Sequence, residues 1–305
     1  MMKKNAKVKL LLTVFCMFFI FSFRTIPAQA AKVTKVCDHI TKTTTVRQDI
    51  TRDGKKDTLR FKLTMDEEEY AVEKVQVYVN GKKALTLNNK NAYYYSLTVQ
   101  YLYLSKSREF LQIYGTGDND YVVSNAIYSY NAKTKKLQKI LDLSSSSMIA
   151  QDVVSATGSQ IRIEYTGQPS ETGWLKCRFT YVYKNGGFQL KSNSTTSVKS
   201  VLGSFGDYKN DGLGTRFAKN QFVVSNKRTF YTGTSLQQAA FTAQKGDILT
   251  LRKLRIIGKN VYLQFVNSSG TTGWQKVFGS DVYDYSRSDM EKSGWFDGVF
   301  YRLAG

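Results

Sequence analysis

The sequence predicts an all-β protein, and three observations carry that prediction. Apolar and polar residues alternate with a period of two through residues 58–64, 74–79, 93–104, 109–114, 122–130, 160–165, 174–183, 248–257 and 261–266. These runs are filled by Tyr, Phe, Val, Thr and Ile, drawing on 20 Tyr and 18 Phe, the residue types that fit a pleated, half-buried surface. Asn80-Gly81 and Asn185-Gly186 fall between runs, where a tight hairpin needs residues that accept positive φ. Only residues 66–74 and 235–245 carry a helical pattern, and both are short.

At the N-terminus, Lys3, Lys4, Lys7 and Lys9 precede the apolar run Leu10 to Phe23, and Ala28-Gln29-Ala30 follows. This is the order of a secretory signal peptide, with cleavage expected after Ala30. The run is too short for a spanning helix, which takes about 20 apolar residues, and no later stretch is apolar enough to span. The expected location is therefore extracellular, either secreted or wall-associated. Two cysteines remain, Cys37 and Cys177, a candidate disulfide in an oxidising compartment. Such a bond would close a loop of about 140 residues and contribute roughly 4–5 kcal/mol.

The strands from residue 31 to 202 recur. Leu59, Leu111 and Ile161 begin the segments LRFKL, LQIYG and IRIEY, at separations of 52 and 50. Tyr78, Tyr130 and Tyr183 each precede a turn (VNGKK, NAKTKK, KNGGF), at separations of 52 and 53. Both landmarks fit a four-stranded antiparallel unit used three times. Units of this length are propeller blades or stacked sheets, and three are too few to close a propeller. A blade-like or sandwich domain is expected.

Just before the first unit stands Asp49-Ile50-Thr51-Arg52-Asp53-Gly54-Lys55-Lys56-Asp57. Side-chain oxygens at Asp49, Thr51, Asp53 and Asp57, with the Lys55 carbonyl, are the hard donors that suit Ca²⁺. Gly54 permits the sharp turn. Arg60 stands where an EF-hand requires a bidentate Glu, so this is not that motif. An acidic loop running directly into a strand resembles the calcium loops of FG-GAP, integrin-α-like repeats. The resemblance implies a bound calcium ion at the first unit only. Thr51 replaces the usual acid, and the equivalent stretches of units two and three carry no acidic loop.

Beyond a Gly-rich linker, residues 203–215, the composition changes. Residues 213–280 hold 10 basic residues against 1 acidic, an excess of +9, whereas the tail 281–305 holds 3 against 5. Within residues 216–280 come the aromatic pair Phe230-Tyr231, KGDILTL from Lys245, the basic Arg252, Lys253 and Arg255, and GTTGWQKV from Gly270. In order and spacing this resembles a bacterial Src-homology-3-like domain, which implies a small barrel that recognises cell-wall material. Tyr231, Tyr262 and Trp274 are then the expected groove aromatics. Asn260-Val261-Tyr262 departs from that pattern, because many such domains carry a second Gly-Trp there.

With a single histidine, His39, as the one candidate imidazole, the HExxH metalloproteases are excluded and the Ser-His-Asp hydrolases are close to it. No nucleophile signature surrounds Cys37 or Cys177. Carboxylate pairs can hydrolyse glycosides without histidine, and Asp118, Asp120 and Glu164 are the nearest candidates. The expected function is a secreted, non-catalytic binding protein of the cell wall or cell surface. Its partner would be peptidoglycan or anionic wall polymers, since export makes nucleic acid a poor partner for a basic module. The alternatives are a glycan- or peptidoglycan-acting hydrolase, and an adhesin that binds through the repeats.

Overall fold

The computed structural model describes residues 31–38, 42–66, 71–88, 93–117, 122–144, 148–204, 212–277 and 294–299. The expected signal peptide, His39, Asp118, Asp120 and most of the tail lie outside the described residues. No helix among the described residues is long and apolar enough to cross a membrane.

The chain is nearly all β, and the repeat is visible in its topology. Unit 1 is a four-stranded antiparallel meander of β2 (Thr44–Gln48), β3 (Asp57–Met65), β4 (Val72–Val79) and β5 (Lys82–Asn88). Unit 2 repeats the plan with β6 (Ser96–Ser105), β7 (Arg108–Thr116), β8 (Val122–Asn131) and β9 (Lys136–Asp142). The N-terminal β1 (Lys32–Cys37) joins its β6 edge. Unit 3 consists of β10 (Ile149–Thr157), β11 (Gln160–Gly167), β12 (Leu175–Lys184) and β13 (Gly187–Leu190). Leu59, Leu111 and Ile161 all lie on second strands, and Tyr78, Tyr130 and Tyr183 on third strands at the following hairpin. Leu111 pairs with Tyr128 and Ile161 with Tyr181, an equivalent register, whereas Leu59 pairs with Val79. The Asn-Gly turns adopt positive φ at both positions, 48° and 78° at residues 80–81 and 54° and 82° at 185–186.

Unit 2 is the middle layer. Its Leu97, Val99, Tyr101, Leu111 and Ile113 pack into one core with Leu59, Phe61, Val75 and Val77 of unit 1. The alternate residues Leu102, Leu104, Phe110 and Ile127 enter a second core with Ile161, Ile163 and Phe179 of unit 3. Period-two alternation thus serves two buried faces, and β6 and β7 read as near-continuous apolar runs. The interface with unit 3 is partly polar. Strand β10 slips register twice, between Ala150 and Val153 and again before Ser155. Buried amides satisfy the backbone groups this frees. Gln112 Nε2 donates to the Gln151 carbonyl (2.8 Å) and Asn125 Nδ2 to the Ala150 carbonyl (2.7 Å). The Val153 amide donates to Gln100 (2.9 Å) and Gln112 (3.0 Å). Left unpaired, each such group would cost about 1–3 kcal/mol.

The second core continues without a break into the C-terminal sheet, through Phe222, Phe230, Leu251, Leu254, Leu263 and Phe265. That sheet contains β14 (Ser194–Thr195), β16 (Gln221–Val223), β17 (Arg228–Tyr231), β18 (Ala239–Ala243), β19 (Ile248–Ile257), β20 (Asn260–Val266) and β21 (Thr272–Val277). The expected barrel is not closed. Among the described residues β18 bonds only to β17, and the far edge of β19 is shared by β16 at one end and β14 at the other. β14 arrives from the tail of unit 3, whose β15 (Val198–Ser200) pairs with β12.

Three further expectations are corrected. Residues 235–245 are not helical: β18 lies within them, paired to β17. The Gly-rich stretch 203–215 is not only a linker, since α1 (Gly212–Ala218) begins inside it and buries Phe217 against Phe222, ring centroids 5.5 Å apart. A Cβ on Gly203 would stand 2.5 Å from the Gly214 carbonyl oxygen, so glycine here permits close backbone approach. Finally, Cys37 and Cys177 are both unbonded and buried, Cys37 in the first core and Cys177 in the second. The two thiols belong to different layer interfaces, which keeps them from bridging.

Candidate functional site: a cationic and aromatic sheet face

The pairing of β17, β21, β20 and β19 decides which side chains share a face. Residues directly opposite in an antiparallel pair point the same way. Tyr231 pairs with Trp274, Trp274 with Gln264, and Gln264 with Lys253, which forms one row across four strands. Lys276 pairs with Tyr262, Tyr262 with Arg255, and Arg255 with Ser194, which forms a second. Trp274 and Lys276 are two apart on β21, so both rows lie on one face. Val261, Leu263 and Phe265 occupy the opposite, buried face. The sheet therefore gathers Tyr231, Lys253, Arg255, Tyr262 and Trp274, all expected from the sequence, on a single surface. A β-bulge between Leu251 and Lys253 leaves Arg252 exposed beside exposed Lys253. Lys276 belongs to the same surface and was missed by the motif reading. The alternation of β21 was the signal that could have found it.

The aromatics are not equally available. Trp274 is only 6 % exposed, and the Arg255 guanidinium lies 5.1 Å from its ring centroid. Arg255 Nε is buried without a hydrogen-bond partner. Cation and indole thus cover each other, worth about 1 kcal/mol at a partly exposed site. Tyr231 and Tyr262 remain half-buried. The face offers phenol edges and cations rather than an open indole groove.

The loop of residues 49–57 satisfies itself. The buried Asp57 carboxylate accepts the amides of Ile50 and Thr51 (both 2.8 Å), the Thr51 hydroxyl (3.1 Å) and Asn80 Nδ2 (2.6 Å). Asp49 accepts the amides of Asp53 (3.2 Å) and Gly54 (2.9 Å), and Asp53 accepts that of Lys55 (2.8 Å). The Arg52 side chain donates to the Tyr130 carbonyl, which ties the loop to unit 2. Among the described residues no three His, Cys, Asp or Glu side chains are placed to share a metal ion. With these acids turned toward N–H and O–H donors, the donor set does not fit Ca²⁺. The loop closes as an Asp-capped turn.

Of the three carboxylates considered for catalysis, Glu164 alone is among the described residues. Glu164 pairs with Arg178 (3.0 Å) and Lys176 (3.4 Å) on the unit 3 sheet. Burial pushes the Cys37 thiol up to about 11 and raises that of Cys177 as well, the opposite of what a thiolate nucleophile needs. Compared with protein-family models, curated proteins and solved structures, the chain matches none.

Proposed function

We propose that the chain is an extracellular, non-catalytic binding protein whose C-terminal sheet holds anionic cell-wall polymers. The observation that carries the reading is the pair of cross-strand rows, Tyr231–Trp274–Gln264–Lys253 and Lys276–Tyr262–Arg255–Ser194. They place cations and half-buried phenols on one face of a basic module. Fixed cations attract a polyanion, and the rings offer apolar contact to its backbone. The Src-homology-3-like resemblance and the N-terminal leader point to the same surroundings.

Co-sedimentation of residues 31–305 with purified cell walls tests the reading, with walls stripped of anionic polymers as the comparison. Binding to intact walls is expected to weaken at 1 M salt, where the Debye length falls to about 3 Å. Reversing the charges of Arg252, Lys253 and Lys276 together is expected to remove the salt-sensitive part. Equal binding to stripped and intact walls overturns the proposal.

A further inference from the structure

A second cationic feature lies outside that face, on unit 3. Arg162, Arg178, Lys191, Ser194, Thr196 and Ser197 line a cavity of about 250 Å³ between β12 and the segment that leads into β15. On the sheet, Arg162 pairs with Thr180 and Glu164 with Arg178, so these four share the outward face, opposite buried Ile161, Ile163 and Phe179. The Lys191 amide donates to the Thr180 carbonyl (2.9 Å), which fixes the start of the segment over the same position. Thr195 then locks it: its hydroxyl donates to the Arg178 carbonyl (2.7 Å) and accepts the Ser197 amide (3.0 Å). The wall of the cavity is therefore built, although its side chains reach solvent.

The polar groups in that wall are largely uncommitted. Arg178 spends part of its N–H fork on Glu164, at 3.0 and 3.1 Å. The Arg162 guanidinium, the Lys191 ammonium and the hydroxyls of Ser194, Thr196 and Ser197 make no hydrogen bond or ion pair among the described residues. Among the described residues, two cations and three hydroxyls without a partner thus line one concavity. Donors spread over several directions suit a tetrahedral oxyanion, whose oxygens point apart. A planar carboxylate would be satisfied by one guanidinium. Hydroxyls and guanidinium together are the usual surroundings of phosphate oxygens.

We propose that this cavity is a phosphate-binding subsite, with Arg162 and Lys191 as its charged anchors and the 194–197 hydroxyls as neutral donors. Its position suggests the source. Ser194, which lines the cavity, pairs directly with Arg255 of the sheet face, so the subsite stands at the end of the row Lys276–Tyr262–Arg255. A chain of phosphodiesters on that face would enter the cavity at Ser194. This extension rests on the wall-polymer reading, whereas the subsite itself does not.

Isothermal titration of residues 31–305 with inorganic phosphate, in a buffer free of other oxyanions, tests the subsite. Arg162→Gln with Lys191→Gln is expected to weaken binding by about tenfold. Lys62→Gln with Lys82→Gln, two exposed cations on unit 1, is expected to leave it unchanged, and unchanged melting curves check both variants. Equal phosphate affinity in wild type and the Arg162/Lys191 variant overturns the subsite. A second arm uses a poly(glycerol phosphate) oligomer. If the oligomer binds wild type more tightly than free phosphate and the Arg162/Lys191 variant loses that gain, the ligand is the polymer. If phosphate binds in the cavity while the oligomer and intact walls do not, the subsite stands for free phosphate and the wall-polymer reading fails.

Discussion

Replacing Glu109 by Gln is expected to stabilise the protein at alkaline pH and to do nothing near pH 4. Glu109 lies on β7 opposite Tyr103, is 2 % exposed, and has its Oε2 buried without a hydrogen-bond partner. Burial pushes its carboxyl from 4.5 up to about 7. The Tyr101 hydroxyl and Arg52 oppose that rise, while Asp49 and Asp57 add to it. For an acid raised on folding, the native state holds the proton more tightly than the unfolded chain. Stability therefore falls as pH climbs from about 4.5 to about 7, and levels off above. A gap of about 2.5 pH units at about 1.36 kcal/mol per unit gives at most roughly 3 kcal/mol. Gln keeps the shape and removes the charge, so the gain at pH 8 approaches that figure. For a chain of this size it corresponds to roughly 6–12 °C in Tm. Thermal melts followed by circular dichroism from pH 4 to 8.5, on wild type and Glu109→Gln, measure it. A difference that does not change with pH refutes the reasoning.

Calcium in millimolar amounts is expected to leave the Tm of chelator-treated protein unchanged, because Asp57 and Asp49 are already held by loop donors. A rise that Asp53→Ala abolishes would restore the calcium site. Peptide maps with and without reductant are expected to be identical, and native alkylation of Cys177 to be slow, since the thiol is 1 % exposed. A cross-linked Cys37–Cys177 peptide would contradict the separate burial of the two thiols. Gly203→Ala is expected to lose roughly 1–3 kcal/mol in denaturant unfolding, because its Cβ meets the backbone of α1. Wild-type stability would show that α1 can shift away.

Strand existence and repeat length were legible because each depends on local pattern. Alternation places Leu59 and Phe61 inside and Arg60 and Lys62 outside, and Asn-Gly accepts the positive φ that a hairpin imposes. Layer order was not legible. Nothing in the run Ser96–Ser105 says that its two faces enter two different cores, because a strand buried on both sides loses its alternation. The candidate face was half legible. Motif spacing pointed to Tyr231, Tyr262 and Trp274, but only register reveals that Arg255 seals the indole and that Lys276 joins the row. The acidic loop was ambiguous because one Asp-Gly pattern serves two purposes. Whether its oxygens meet a metal or the loop's own amides depends on backbone conformation, here Arg52 at φ 65° and Gly54 at φ 87°.

The placement of β1 sets the order in which the molecule can assemble. Every strand of the three units finds a partner in its immediate sequence neighbour, but β1 pairs with β6, Lys32 against Tyr103 and Val33 against Leu102. A chain made from its N-terminus exposes this strand first and must extend by about 70 residues before a docking edge exists. Unit 1 can fold as a local meander in the interval, with fast closure of short loops, while β1 waits as an unpaired strand. Its Lys32 and Lys35 keep that waiting strand charged, which discourages pairing with a second chain. When β1 docks it ties residues 32–37 to the central layer, with unit 1 held in the loop between. The last event in building the middle sheet is thus the capture of a strand made well before its partner.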